Sequence, residues 1–196
     1  MSWTIVIQAG GESRRMGQNK ALLPFHGQPL IERVVIRLKS SADELILTAN
    51  QPEYFQFLGL PIFPDLIPGK GALGGLYTAL NAAHFSLVAV VACDMPFINP
   101  ELLAAERDLL AQGDWDVAIP RSAEGLEPLH ALYRKEICLP PIRLALEENR
   151  LRMDSWLSNV KVREMSLEEV ALYDPEFRSF MNVNTPEEFT QAEQLE

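Results

Sequence analysis

Residues 8–20 read QAGGESRRMGQNK and hold three glycines, two arginines and a lysine in a chain whose formal net charge is -10. They follow the apolar run Ile5-Val6-Ile7. Glycine lacks a β-carbon, so the backbone N–H groups of Gly10 and Gly11 can approach a ligand closely. Arg14, Arg15 and Lys20 supply charge that suits phosphate oxygens, arginine through two donors at once. A polyphosphate accounts for both features, because an acidic protein repels it except where its charge is locally offset. Neither common phosphate fingerprint is present: GxGxxG is absent, and Ala21 follows Lys20 where GxxxxGK[ST] requires Ser or Thr. A solvated basic loop between strand and helix is the competing reading.

A second group of residues sits behind other apolar runs. Asp94 follows Leu87–Ala92 and precedes Pro96, which puts a carboxylate at the end of a buried strand. Such an oxygen suits Mg²⁺, which takes one or two carboxylates plus substrate phosphates; an aspartate capping a turn is the alternative. Asp65 follows Ile62-Phe63-Pro64, another expected strand end. Asn182 and Asn184 flank Val183, so strand alternation points both amides to one side, toward a ligand or toward a structural partner. His26, His84 and His130 have no partner pattern and read as surface or packing residues. Cys93 ends an apolar strand and reads as core. With Cys138 it forms no CxxC pair, so reduced thiols in the cytoplasm, and no zinc site, are expected.

The elements that must position these residues follow from apolar runs. Residues 5–7, 45–47 and 87–92 are apolar without alternation, as in strands of a parallel sheet covered on both faces. Between them, residues 29–38 place Leu30, Val34, Val35 and Leu38 on one helical face, and 73–83 is rich in Ala and Leu. Asn99-Pro100-Glu101 opens a third helix. Strands are expected at 116–119, 129–133 and 160–165, and a helix at 142–148, just after Pro140-Pro141. Thr185-Pro186-Glu187-Glu188 is a capping box for the last helix. The alternation predicts a single-domain (1–196), doubly wound, mostly parallel α/β sheet, whose ligands gather at the carboxyl ends of the strands. The 47% apolar content fits a globular domain. Net charge argues against nucleic acid and anionic membrane as partners. No run approaches the roughly 20 apolar residues of a membrane span, and Met-Ser-Trp-Thr lacks the layout of a signal peptide.

Ala9-Gly10-Gly11, Ser13, Arg15-Met16-Gly17 and Lys20, then Gly27 and Pro29-Leu30, resemble the AGG-x-S-x-RMG-x-x-K opening of nucleotidyltransferases, and within them the molybdenum cofactor guanylyltransferases. GALGGL (71–76), CDMPF (93–97), EPLHALY (127–133) and NVNTPEE (182–188) extend the resemblance over nearly the whole chain. It implies a Rossmann-like enzyme that moves GMP from GTP to the terminal phosphate of molybdopterin, or of its molybdenum-bound form, with Mg²⁺. Arg15, Lys20 and Asp94 would be catalytic, and Asp94 the metal ligand. Gln8, Ala9, Gly10, Gly11, Ser13, Lys20, Thr48, Asn50, Asp65, Gly71, Leu73 and Asp94 would contact the nucleotide, and Asn182 and Asn184 the acceptor. Acceptor molybdoenzymes or their chaperones are implied as partners. The chain departs from the family at Gln8 (leucine), Asn19 (aspartate), Thr48 (asparagine) and Ala72 (proline). Thr48 lacks an amide's paired donor and acceptor, so Asn50 shares its expected contact. A cytidylyltransferase acting on the same cofactor or on a sugar or alcohol phosphate and a catalytically silent nucleotide-binding regulator are the alternatives, and intact Lys20 and Asp94 speak against the second.

Overall fold

A computed structural model describes residues 1–10 and 19–195. In chain order it contains β1 (Trp3–Gln8), a short ribbon of β2 (Pro24–Phe25) and β3 (Gln28–Pro29), α1 (Leu30–Leu38), β4 (Glu44–Thr48), β5 (Ile62–Phe63), α2 (Gly71–Ala82) and β6 (Leu87–Ala92). Then come α3 (Pro100–Gln112), β7 (Val117–Ser122), β8 (Gly125–Leu126), β9 (His130–Arg134), α4 (Lys135–Glu147), β10 (Val162–Met165), α5 (Leu167–Ala171) and α6 (Pro186–Glu193). The main sheet runs β10-β7-β9-β6-β1-β4-β5, with β8 beside β7. β9 is antiparallel to both neighbours, and the pairings β1–β4, β1–β6, β4–β5 and β7–β10 are parallel.

Strand alternation divides the core into two layers. Ile5 and Ile7, with Leu47, Ala89 and Val91, pack under α1 and α3 against Ile31, Val34, Leu38 and Leu103. Val6, Ile46, Val88 and Val90 face the other way, toward Leu73, Leu76 and Leu80 of α2 and Ile142 and Leu146 of α4. This is why the central strands read as unbroken apolar runs: each residue meets a helix layer whichever way it points. Fully burying one such side chain contributes about 1.5–3 kcal/mol. The doubly wound, mostly parallel sheet is the predicted one.

Caps match the sequence signals. Asn99 accepts from the Glu101 N–H (2.9 Å) with Pro100 behind it, and the Thr185–Glu188 capping box is closed in both directions. Two expectations need correction. The helix expected from Ile142 begins at Lys135 and carries Pro140 and Pro141 inside it. Two proline N–H donors are missing there, yet tertiary contacts hold the first turn: Cys138 is buried, the Lys135 N–H donates to the Ser86 carbonyl (3.0 Å), and Lys135 Nζ to that of Ala83 (2.7 Å). The segment 182–184 is also not a strand. Its middle residue instead anchors it, because the Val183 N–H donates to the Asp94 carbonyl (3.1 Å) and its side chain packs with Phe25, Leu30 and Phe97.

Candidate active site

Because β4, β1 and β6 are parallel, their carboxyl ends lie along one edge, with Gln8 paired to both Thr48 and Ala92. The loops leave this edge tied together: the Ala9 N–H donates to the Thr48 carbonyl (2.8 Å) and the Cys93 N–H to that of Gln8 (3.2 Å). Asp94 therefore emerges beside Ala9 and Gly10 for a reason set by register. Asn19 caps the helical turn Lys20–Leu22 by accepting from the Ala21 N–H (3.2 Å), which aims Lys20 across the gap. Lys20 Nζ forms an ion pair with Asp94 and donates to Asn184 Oδ1 at 2.6 Å. Residues 74 and 164 positions apart from Lys20 thus converge on one ammonium. Gln8, Gly10, Lys20, Ala72 and Asp94 line a cavity of about 120 Å³ here.

Asn50 and Asp65 are brought together at the neighbouring strand end. Asn50 Nδ2 donates to Asp65 Oδ2 (2.7 Å), and the Asp65 N–H donates back to Asn50 Oδ1 (3.0 Å). Thr48 is buried, and its hydroxyl meets no partner among the described residues. Gly71 opens α2 at φ +60°, a conformation that suits glycine, whereas the Leu73 side chain lies in the core. Gln8 Nε2 donates to the Ala72 carbonyl (3.1 Å), binding the start of α2 to the end of β1. A Cβ on Gly75 would stand 2.2 Å from that nitrogen, so the contact requires glycine there. The donor orients the amide, and Gln8 Oε1 meets no partner among the described residues. Gly11, Ser13 and Arg15 lie outside the described residues.

Asn182 and Asn184 line a groove of about 870 Å³, together with Glu127, Phe177, Phe180 and Met181. Asn184 also accepts from Lys20, so this side chain links the groove to the charged cluster. Burial, and then Asp94, push the Cys93 thiol up to about 12, so it stays protonated at neutral pH and is core as expected. Among the described residues, no three His, Cys, Asp or Glu side chains converge as a metal cage. Asp94 alone suits a Mg²⁺ that keeps waters and phosphates as its other ligands.

Sequence reasoning missed one pair. His130 Nδ1 lies 2.9 Å from Glu106 Oε1, and both side chains have no exposed surface. A signal existed: Glu106 is four residues after Leu102 and four before Leu110, on the buried stripe of α3. Burial pushes its carboxyl up, partly opposed by His130.

A family model, the MobA-like NTP transferase domain, matches residues 5–162. A probable molybdenum cofactor guanylyltransferase of Pelotomaculum thermopropionicum is 43% identical over 191 residues, 96% of this chain and 91% of the relative. The molybdenum cofactor guanylyltransferase of Desulfosudis oleivorans is 34% identical, covering 97% and 94%. Among solved structures, the molybdopterin-guanine dinucleotide biosynthesis protein A of Archaeoglobus fulgidus superposes with a TM-score of 0.86 at 26% identity, over 98% of this chain and 97% of that one. The family match takes in Lys20, Asp65 and Asp94 and the whole parallel edge that presents them, and the chain belongs to the MobA-like NTP transferase family.

Proposed function

We propose that the chain, as one nucleotidyltransferase domain, transfers GMP from GTP to the terminal phosphate of molybdopterin or its molybdenum-bound form. An acceptor phosphate oxygen attacks the α-phosphorus in line, the bond to the α–β bridging oxygen breaks, and pyrophosphate leaves with that electron pair. The observation that carries the reading is the meeting of Lys20, Asp94 and Asn184 at the mouth of a groove. The relatives' names point to guanine and to the molybdenum cofactor.

The attacking phosphate is already anionic, so no protein nucleophile or strong base is needed. Catalysis is then positioning and charge stabilisation. Lys20, with Arg15, Ser13 and the N–H groups of Gly10 and Gly11, holds the phosphates. Gln8 and Ala9 adjoin them at the end of β1, and the Asn50–Asp65 pair and Thr48 serve the nucleoside. Gly71 and Leu73 set the backbone that lies against the base. Asn182 and Asn184 orient the acceptor. Asp94 would hold Mg²⁺, which supplies charge neutralisation at the phosphates when bound. Lys20 offsets the Asp94 charge.

Molybdoenzymes or their chaperones would receive the product. Two unpaired, buried cysteines fit a reducing compartment such as the cytoplasm, and no described helix is long and apolar enough to cross a membrane. The test is pyrophosphate release from each of the four nucleoside triphosphates with Mg²⁺ and molybdopterin. GTP should outcompete CTP and ATP by at least about tenfold, roughly 1.4 kcal/mol. Equal use of CTP overturns the guanylyl assignment, and release without acceptor overturns the transfer.

A further inference from the structure

We infer that Glu127 docks the amino-pyrimidinone edge of the acceptor's pterin, its carboxylate accepting the ring N–H and exocyclic amino donors inside the groove. This rests on the reading of the Asn182–Asn184 groove as the acceptor site. Asn184 belongs both to the Lys20 cluster and to the groove, so a ligand whose phosphate sits at Lys20 extends its body into the groove. Phe177, Phe180 and Met181 give that body apolar walls suited to a flat ring.

Glu127 is the half-buried carboxylate among these walls. Its backbone is fixed on both sides, the N–H donating to the Pro120 carbonyl (3.0 Å) and its carbonyl accepting from the His130 N–H (2.9 Å). Ser122 Oγ donates to Oε1 at 2.6 Å and holds the side chain in place. No described Lys or Arg neutralises it. Burial pushes this carboxyl up, the cost of a half-desolvated charge that two ligand donors would offset. A carboxylate takes two parallel N–H donors as a fork, the same match that reads amino edges of bases. Glu124 and Glu168 also line the groove, so an anionic body is repelled and a neutral, donor-bearing one is favoured.

The experiment measures binding of 6-hydroxymethylpterin to the full chain saturated with α,β-methylene-GTP and Mg²⁺, by the pterin's own fluorescence. 6-Hydroxymethyllumazine, in which a carbonyl replaces the amino group, is the control. Wild type should prefer the pterin by at least about tenfold, because the lumazine sets an acceptor against a carboxylate. Glu127→Ala should bring the two ligands within about twofold while α,β-methylene-GTP affinity is kept. Glu127→Gln, nearly isosteric, serves the same comparison if the alanine variant does not fold. No pterin preference in wild type, or an unchanged preference in the variant, overturns the inference. Asn182→Ala separates the two readings. Pterin binding that weakens in Asn182→Ala but keeps its preference in Glu127→Ala removes Glu127 alone. Pterin binding untouched by both substitutions removes the groove as the acceptor site as well.

Discussion

Two pairs of titratable side chains in this molecule serve different ends. Lys20 and Asp94 meet at the carboxyl edge of the sheet, with side-chain exposures of 24% and 9%, and Lys20 also donates to Asn184. His130 and Glu106 meet between β9 and α3 with none. The first pair sits where parallel strands end and loops leave room for a ligand to replace one partner. The second is sealed: Glu106 Oε2 and His130 Nε2 find no partner among the described residues, and Phe180 packs edge-on against the imidazole at 5.1 Å. An ion pair at an edge leaves room for a ligand to replace one partner, whereas a hydrogen-bonded pair sealed in the core can only be kept.

The largest effect should come from breaking the edge pair at its carboxylate. Asp94→Asn should lower Mg²⁺-dependent turnover by about a thousandfold, roughly 4 kcal/mol, with the fold retained, because an amide is a poor ligand for a hard cation. Nucleotide binding without metal should change much less. Unaltered Mg²⁺ dependence removes Asp94 from the metal site.

Glu106→Ala probes the sealed pair and should act on stability, by about 3 kcal/mol, because it strands a buried imidazole. Denaturant unfolding measures it. Glu106→Gln sharpens the contrast through pH. A carboxyl whose folded pKa is raised contributes most below its unfolded pKa, and loses that contribution as pH rises through the folded value. Wild type should therefore lose stability relative to Glu106→Gln as pH climbs above the model-compound value of 4.5. A constant difference across that range would mean that Glu106 is not held up by burial.

Lys20→Ala should lower GTP affinity and turnover by about thirtyfold, near 2 kcal/mol, since other loop donors remain on the phosphates. Parent-like values would remove Lys20 from the phosphate site. The smallest effect belongs to the contact between the end of β1 and α2. Gly75→Ala should cost about 1–2 kcal/mol through its clash with Gln8. Gln8→Ala should recover most of that loss in the double variant, and strictly additive losses would mean that the two do not touch.

Much of the site was legible because it is local. Gly10 and Asp94 each come just after an apolar run whose length and composition reveal a buried strand, Lys20 closes the loop that the first run opens, and strand ends in such sheets face ligands. The Asn99 and Thr185 caps were legible for the same reason, as one residue decides each. Pro140-Pro141 misled because a local rule against proline lost to burial of Cys138 and to the Lys135 contacts with Ser86 and Ala83. The segment 182–184 misled similarly, its alternation arising from Val183 anchored on Asp94 rather than from a ladder.

What the sequence alone determined is the order of the main strands and helices, the glycine-rich, basic composition of residues 8–20 and the carboxylate behind β6. These depend on periodicity and residue type, which act over a few positions. Only the tertiary structure decided that Asn184 shares Lys20 with Asp94, that Gln8 fits against Gly75, that His130 is sealed with Glu106, and that Glu127 lies in the groove. Each joins residues far apart in the chain, and such meetings depend on how helix layers pack over a twisted sheet, which no local pattern encodes.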